Sequence, residues 1–229
     1  LSKESTVVND SIQHMQRKLS VSKDDYVRLS SYMAHEQKNL LAILRAKIQL
    51  KEDSELLQEV DKMSEALDDV LTMTASEDMY RTQPIDITIL CAKVVDDYKK
   101  IYQDISFDFN EEDNPVMLGR ELWLSRAISN LIENAIKYGG ATPINVSLTT
   151  EKGSVILKVK DGGKGISAKE QQRIFDNYYR IDGIKNDGYG IGLNLVRHVC
   201  TLCQGFFLAE SEMGQGSIFY MIFPEYYEN

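Results

Sequence analysis

Cysteine is scarce: Cys91, Cys200 and Cys203 are the three in 229 residues. That is too few for a disulfide scaffold and suits a reducing compartment. Cys200-Thr-Leu-Cys203 has the spacing of a redox or metal pair. It lies in the amphipathic stretch Leu193–Cys203 with no second pair, and it reads as two core residues one helical turn apart. Long apolar runs are missing too, with nothing near the ~18 residues of a membrane span. Leu1 is not preceded by a Met or a basic leader, so the chain is expected to be a piece of a longer protein. Basic residues are the minority, 26 Lys and Arg against 35 Asp and Glu, for a net charge of −9. No general basic field exists for nucleic acid, and no nucleic-acid partner is expected. With 43% hydrophobic residues, what remains is a globular protein of one or two domains.

Glycine and proline are absent from residues 1–80; all 14 Gly and all 4 Pro follow. Such a stretch predicts long helices. Residues 1–21 read as a linker or helix extension, and Ser22-Lys-Asp-Asp25 resembles a capping box. A first helix is expected to about Leu50, with Tyr26, Leu29, Met33, Leu40, Leu44 and Ile48 on one face. After a turn at Lys51–Asp53, Ser54 can cap a second helix, where Leu56, Val60, Met63, Leu67 and Val70 alternate at 4/3 spacing. The two form an antiparallel hairpin over 22–80. Alone it cannot bury both apolar stripes, so a second copy is expected to complete a four-helix bundle, giving a homodimer.

Arg81–Gln83 reads as a short linker, and 84–229 as an α/β domain. Asp86 can cap a helix over Ile87–Tyr102. Strands are expected at Ile105–Phe109, Pro115–Leu118, Ile144–Thr150, Ser154–Lys160, Phe206–Ser211 and Ser217–Phe223. Helices are expected at Glu121–Tyr138, Ala168–Phe175 and Ile191–Cys203.

Four groups of residues could carry chemistry. His35 lies roughly opposite the apolar face of its helix, beside Glu36 and with Asn39 one turn on. An exposed His next to a carboxylate suits nucleophilic or proton-transfer work, and it is also what an ordinary surface His looks like. Asn130, Asn134 and Lys137 share a helix face, with Tyr138 adjacent. Asn offers neutral oxygens to a hard cation and Lys a charge to a phosphate, and a solvated helix face is the plain alternative. Asp161-Gly-Gly163-Lys-Gly165-Ile166 follows a strand, and Gly188-Tyr189-Gly190-Ile191-Gly192-Leu193 opens a helix. Glycines let a backbone approach a nucleotide closely, and a helix N-terminus attracts phosphate, although tight turns look similar. Asp161 can accept a hydrogen bond from an exocyclic amine such as that of adenine.

Taken in order, His35-Glu-x-x-Asn39, Asn130-x-x-x-Asn134-x-x-Lys137-Tyr138, Asp161-x-Gly163-x-Gly165-Ile166, Ile174-Phe175 through Tyr179-Arg180, and Gly188-x-Gly190-x-Gly192-Leu193 resemble the H, N, G1, F and G2 boxes of bacterial two-component sensor histidine kinases. Gly214-Gln-Gly216-Ser217 resembles the last glycine motif of that family. The resemblance covers about residues 22–224. It implies a dimerisation and phosphotransfer hairpin, then an α/β sandwich of the gyrase, chaperone and histidine-kinase ATPase type, binding ATP and Mg²⁺. By the same resemblance His35 is the phosphoacceptor, Glu36 its acid–base partner, and Asn39 part of the pattern that dephosphorylates a response regulator receiver domain. Asn134 is the Mg²⁺ ligand with Asn130 beside it, Lys137 and Tyr138 face phosphates and ribose, Asp161 pairs with adenine, and 176–190 form a lid from which Arg180 reaches the phosphates. The expected setting is the cytoplasmic portion of a membrane-anchored bacterial protein, anchored through segments this chain lacks.

Four positions depart from the family pattern. Leu40 stands where Pro is usual, Ala34 where Ser is, Gly162 where Asn is, and Lys164 where an apolar residue is. Two other functions are open to the same residues. A superfamily ATPase places a water-activating Glu four residues before the Mg²⁺-binding Asn; here that position is Asn130, and Glu133 reads as a surface residue. A non-catalytic, nucleotide-sensing dimeric module would be expected to have lost some of the boxes. His14 and His198 read as structural or solvated.

Overall fold

A computed structural model describes residues 37–49, 54–73, 82–113, 115–174 and 192–227. His35, Glu36, Arg180, Gly188, Tyr189, Gly190 and Ile191 lie outside the described residues, as does His14. The chain divides into two compact units, Leu1–Ala75 and Ser76–Asn229.

The first unit holds α1 (residues 37–49) and α2 (Ser54–Met73). Lys38 pairs with Asp68 at 2.6 Å and Arg45 with Asp61 at 2.7 Å. As one residue number rises the other falls, so the helices run antiparallel. Between them, Leu41, Ile48 and Val60 are buried, with Leu57 and Leu67 packed against them. This corrects the face expected for the first helix: Leu41 and Ile48 point at α2, while Leu40 and Leu44 stay exposed with Ile43. The seam of α2 divides in the same way, Val60 and Leu67 inward and Leu56 and Met63 outward. One neighbouring helix covers one side of each helix, so among the described residues both helices keep apolar side chains uncovered. α1 is continuous through Leu40, where proline was the expected residue.

The second unit has the order β1 (Gln83–Asp86), α3 (Ile87–Lys99), β2 (Ile105–Phe109), β3 (Val116–Gly119), α4 (Glu121–Tyr138), β4 (Ile144–Glu151), β5 (Ser154–Asp161), α5 (Ala168–Gln171), α6 (Gly192–Leu202), β6 (Phe206–Glu212) and β7 (Gly216–Pro224). Five strands form a mixed sheet in the order β2-β4-β5-β7-β6, with β2 and β4 parallel and the other pairs antiparallel. Alternate residues of the central strands, Val146 and Leu148, Val155, Leu157 and Val159, Phe219, Met221 and Phe223, are buried. Period-two alternation puts them on one face, where the apolar stripes of α3, α4 and α6 cover them. Leu124, Ile128, Leu131 and Ile132 of α4 are fully buried.

Asp86 caps α3 as expected, its carboxylate accepting from the Ile89 N–H at 3.0 Å. Gln83 belongs to β1 rather than to a linker, and with Pro84 pairs antiparallel with β3 in a separate two-stranded ribbon. Proline is tolerated there because such a ribbon is all edge. α5 is shorter than expected. Its capping box, Ser167 with Glu170, is complete, and only turns follow over 172–174.

Candidate functional site

Among the described residues, the end of α4, the loop after Asp161 and Gly216–Ser217 meet where β5 ends. Asp161 closes that strand and is buried. Its Oδ1 accepts from the Gly163 N–H at 2.9 Å, and its carboxylate also accepts from the Ser217 main chain. Burial raises its pKa above the ordinary aspartate range; the two main-chain donors oppose that shift without cancelling it. The result is a fixed acceptor in a desolvated place, suited to a ligand that brings an N–H donor.

The loop after Asp161 is held from two sides. On one side a Cβ on Gly163 would collide with the Tyr138 carbonyl, and one on Gly139 would lie 3.3 Å from the Asp161 Cβ. The end of α4 therefore abuts the loop, bringing Tyr138 up to Asp161's strand end. On the other side Gly165, at φ +70°, presses on the Glu212 carbonyl, a contact only glycine permits. Ser211 of β6 accepts from the Ile166 N–H at 2.8 Å, donates to the Gly216 carbonyl at 2.8 Å and lies 2.9 Å from the Ser217 hydroxyl. Gln171 adds bonds to the carbonyls of Ile166 and Ser211. The Lys164 side chain is exposed while its carbonyl accepts from the Gly214 N–H at 2.7 Å. The loop uses position 164 through its main chain, so a charged residue fits where an apolar one is usual.

On α4 the candidate residues fall into a buried and an open group. Asn130 is buried, and its Nδ2 donates to the Arg126 carbonyl at 2.9 Å. A Cβ on Gly192 would come within 2.5 Å of its Oδ1, so the first residue of α6 is set directly against this amide. Leu193 follows half-buried. Asn134 is half-buried, whereas Lys137 and Tyr138 are exposed.

Glu133 is not the plain surface residue the sequence suggested. It accepts from the Tyr98 hydroxyl at 2.7 Å and stands 3.9 Å from both Arg126 and Lys137. Burial, and then the Glu133 charge, push the Tyr98 phenol above its ordinary range. In the first unit Asn39 is exposed on α1. Cys200 and Cys203 are buried free thiols, raised by that burial, as two core residues should be. Sequence reasoning missed Ser211, Gln171, Thr142 and Tyr98. None of them sits in a recognisable motif, and each acts across strands or helices far apart in the chain.

The donor set fits an adenine nucleotide: a buried carboxylate for an amine, glycines at close approaches, and amide oxygens and a lysine on the adjoining helix. Residues 119–227 match the family described as histidine kinase-, DNA gyrase B-, and HSP90-like ATPase. The adaptive-response sensory kinase SasA of Rippkaea orientalis is 31% identical over 174 residues, 71% of this chain and 44% of SasA. The sensor histidine kinase GraS of Staphylococcus epidermidis is 32% identical over 177 residues, 74% of this chain and 51% of GraS. The chain thus spans about half the length of these curated relatives. The crystal structure of full-length ShkA in complex with AMPPNP shares the fold, with a TM-score of 0.68 at 23% identity over 86% of this chain and 46% of ShkA. Residues 119–227 thus form an ATPase domain of the histidine kinase, DNA gyrase B and HSP90 family, in a chain whose named relatives are sensor histidine kinases.

Proposed function

We propose that this chain is the catalytic core of a two-component sensor histidine kinase, in which 84–229 bind ATP and 22–80 present His35 as phosphoacceptor. One observation carries the reading: the buried Asp161 carboxylate, fixed by main-chain donors, adjoins the end of the helix that bears Asn130, Asn134 and Lys137. Asp161 accepts a hydrogen bond from the adenine amine. Lys137 and Tyr138 lie toward phosphates and ribose, and Arg180 and the 188–193 glycines close over the phosphates, where the N-terminus of α6 adds the positive end of its dipole. Asn134, with Asn130, supplies the amide oxygens for Mg²⁺. The metal supplies positive charge that stabilises the transferring phosphoryl group.

A neutral ring nitrogen of His35 attacks the γ-phosphorus in line. The N–P bond forms, the bond to the β,γ-bridging oxygen breaks, and ADP leaves. Glu36 takes the proton from the other ring nitrogen. The phosphoryl group then passes to an aspartate of a response regulator receiver domain, and Asn39 orients water for the reverse task of dephosphorylating it. The exposed Leu40, Ile43, Leu44, Leu56 and Met63 are the surface on which a second copy completes a four-helix bundle. The setting is the cytoplasmic side of a membrane, with the anchor outside this chain; among the described residues no helix is long and apolar enough to cross one.

A hydrolytic ATPase fits less well. The position four residues before Asn134 holds the Asn130 amide, which cannot serve as a base, and Glu133 is engaged by Tyr98. Incubation with γ-labelled ATP and Mg²⁺ separates these readings. Label on the protein that is acid-labile, alkali-stable and lost in His35→Ala supports the kinase. Free phosphate alone supports the ATPase, and neither product supports a nucleotide-sensing module.

A further inference from the structure

We propose that Thr142 is a positioning residue for the base-binding loop, acting through the Gly162 amide; the inference rests on the nucleotide reading above. Thr142 lies in the turn between α4 and β4. Its hydroxyl donates to the Gly139 carbonyl at 2.8 Å and accepts from the Gly162 N–H at 3.0 Å. One oxygen thereby joins the last turn of α4, whose carbonyls lack helical partners, to the residue that follows Asp161. The next amide, Gly163 N–H, binds the Asp161 carboxylate itself. Two consecutive main-chain donors are thus fixed, one to the helix end and one to the acceptor group, which sets the direction of that group.

The turn is itself anchored. Tyr102 donates to the Thr142 carbonyl at 2.7 Å, and the Ile144 N–H donates to the Asp104 carbonyl at 2.8 Å. Gly140 and Ala141 sit at φ +65° and +60°, and the left-handed conformation is unfavourable for alanine. A strained turn held by surrounding bonds is the arrangement found where geometry matters to a site. Gly162 and Thr142 also fit each other sterically. A Cβ at 162 would lie 3.2 Å from both the Thr142 Cβ and its hydroxyl. The glycine that replaces the usual Asn therefore makes room for the threonine, and the threonine hydroxyl supplies the hydrogen bond that orders the loop. An acceptor ordered before binding leaves less freedom to be lost on binding.

The test titrates the whole chain with ADP and with AMPPNP calorimetrically, below the onset of melting. Thr142→Val keeps the shape and removes the hydroxyl; Thr142→Ser keeps the hydroxyl. The expected result is a loss of affinity of about three- to tenfold in Thr142→Val, the same factor for both nucleotides, with Thr142→Ser within about twofold of the parent. Equal affinity in Thr142→Val and the parent overturns the inference and leaves the nucleotide reading intact. So does an equal loss in Val and Ser, or a loss confined to AMPPNP. A parent chain that binds neither nucleotide overturns the nucleotide reading on which the inference rests.

Discussion

The helical unit and the α/β unit solve the same problem to different extents. In the first, Leu41, Ile48 and Val60 are the buried apolar residues among those described, while Leu40, Ile43, Leu44, Leu56 and Met63 stay open. In the second, three helices saturate one face of a five-stranded sheet, and residues such as Leu124, Leu131, Leu157 and Met221 are fully enclosed. A buried Leu, Ile or Val contributes about 1.5–3 kcal/mol, and ordering one residue of backbone costs about 1–2 kcal/mol. Among the described residues the hairpin encloses far fewer apolar side chains than the sandwich does. A lobe with an enclosed core can bind and release a ligand on its own; a helical pair with uncovered apolar residues is the place to test for association.

The largest effect that would sharpen this comparison lies in the sandwich. Leu131→Ala should lower its stability by about 2–5 kcal/mol, visible in a denaturant titration as a shifted midpoint. Leu44→Glu, in contrast, should leave the α/β melting transition unchanged and convert a dimer to a monomer in analytical ultracentrifugation. If the parent chain sediments as a monomer at high concentration, the contrast between the units fails.

Asp161→Asn should weaken ADP binding by about tenfold or more while raising the melting temperature of the free protein at pH 7. The sign follows from the raised pKa of Asp161. The folded state holds this proton more tightly than the unfolded chain does. The associated stability is present below the ordinary carboxylate value of about 3.9 and is lost as pH rises through the raised one. The asparagine is neutral throughout, so its advantage should vanish as pH falls below about 4; a pH series of thermal melts checks this. The smallest effect is local: Asp86→Ala removes the cap of α3 and should cost about 1 kcal/mol, with no change in oligomeric state.

The bounds of α4 and β2 could be read from the sequence because both are long-range packing elements with an unmistakable period and clear stops. β1 could not: four residues containing Pro84 carry no alternation to read, and only pairing with β3 makes them a strand. In the hairpin the apolar residues were legible but their division into inner and outer halves was not, since 4/3 spacing serves a neighbour in the same chain or in another equally well. At the site, Asp161 and the glycines announced themselves through motif order. Thr142, Ser211 and Tyr98 did not, because their hydroxyls act through bonds that span 20 to 45 residues of chain. Glu133 looked like a surface residue because the Tyr98 hydroxyl that engages it comes from a helix 35 residues away.

The central claim is that the nucleotide lobe delivers a phosphoryl group to the imidazole of the helical unit. Phosphorus NMR of the intact chain after incubation with Mg²⁺-ATP tests it most directly, backed by peptide mass mapping. The account predicts one phosphoramidate signal, carried by the peptide containing His35 and absent from His35→Gln even though that variant still binds ADP. A phosphate ester on serine, threonine or tyrosine, or a phosphoramidate that persists in His35→Gln, would contradict it.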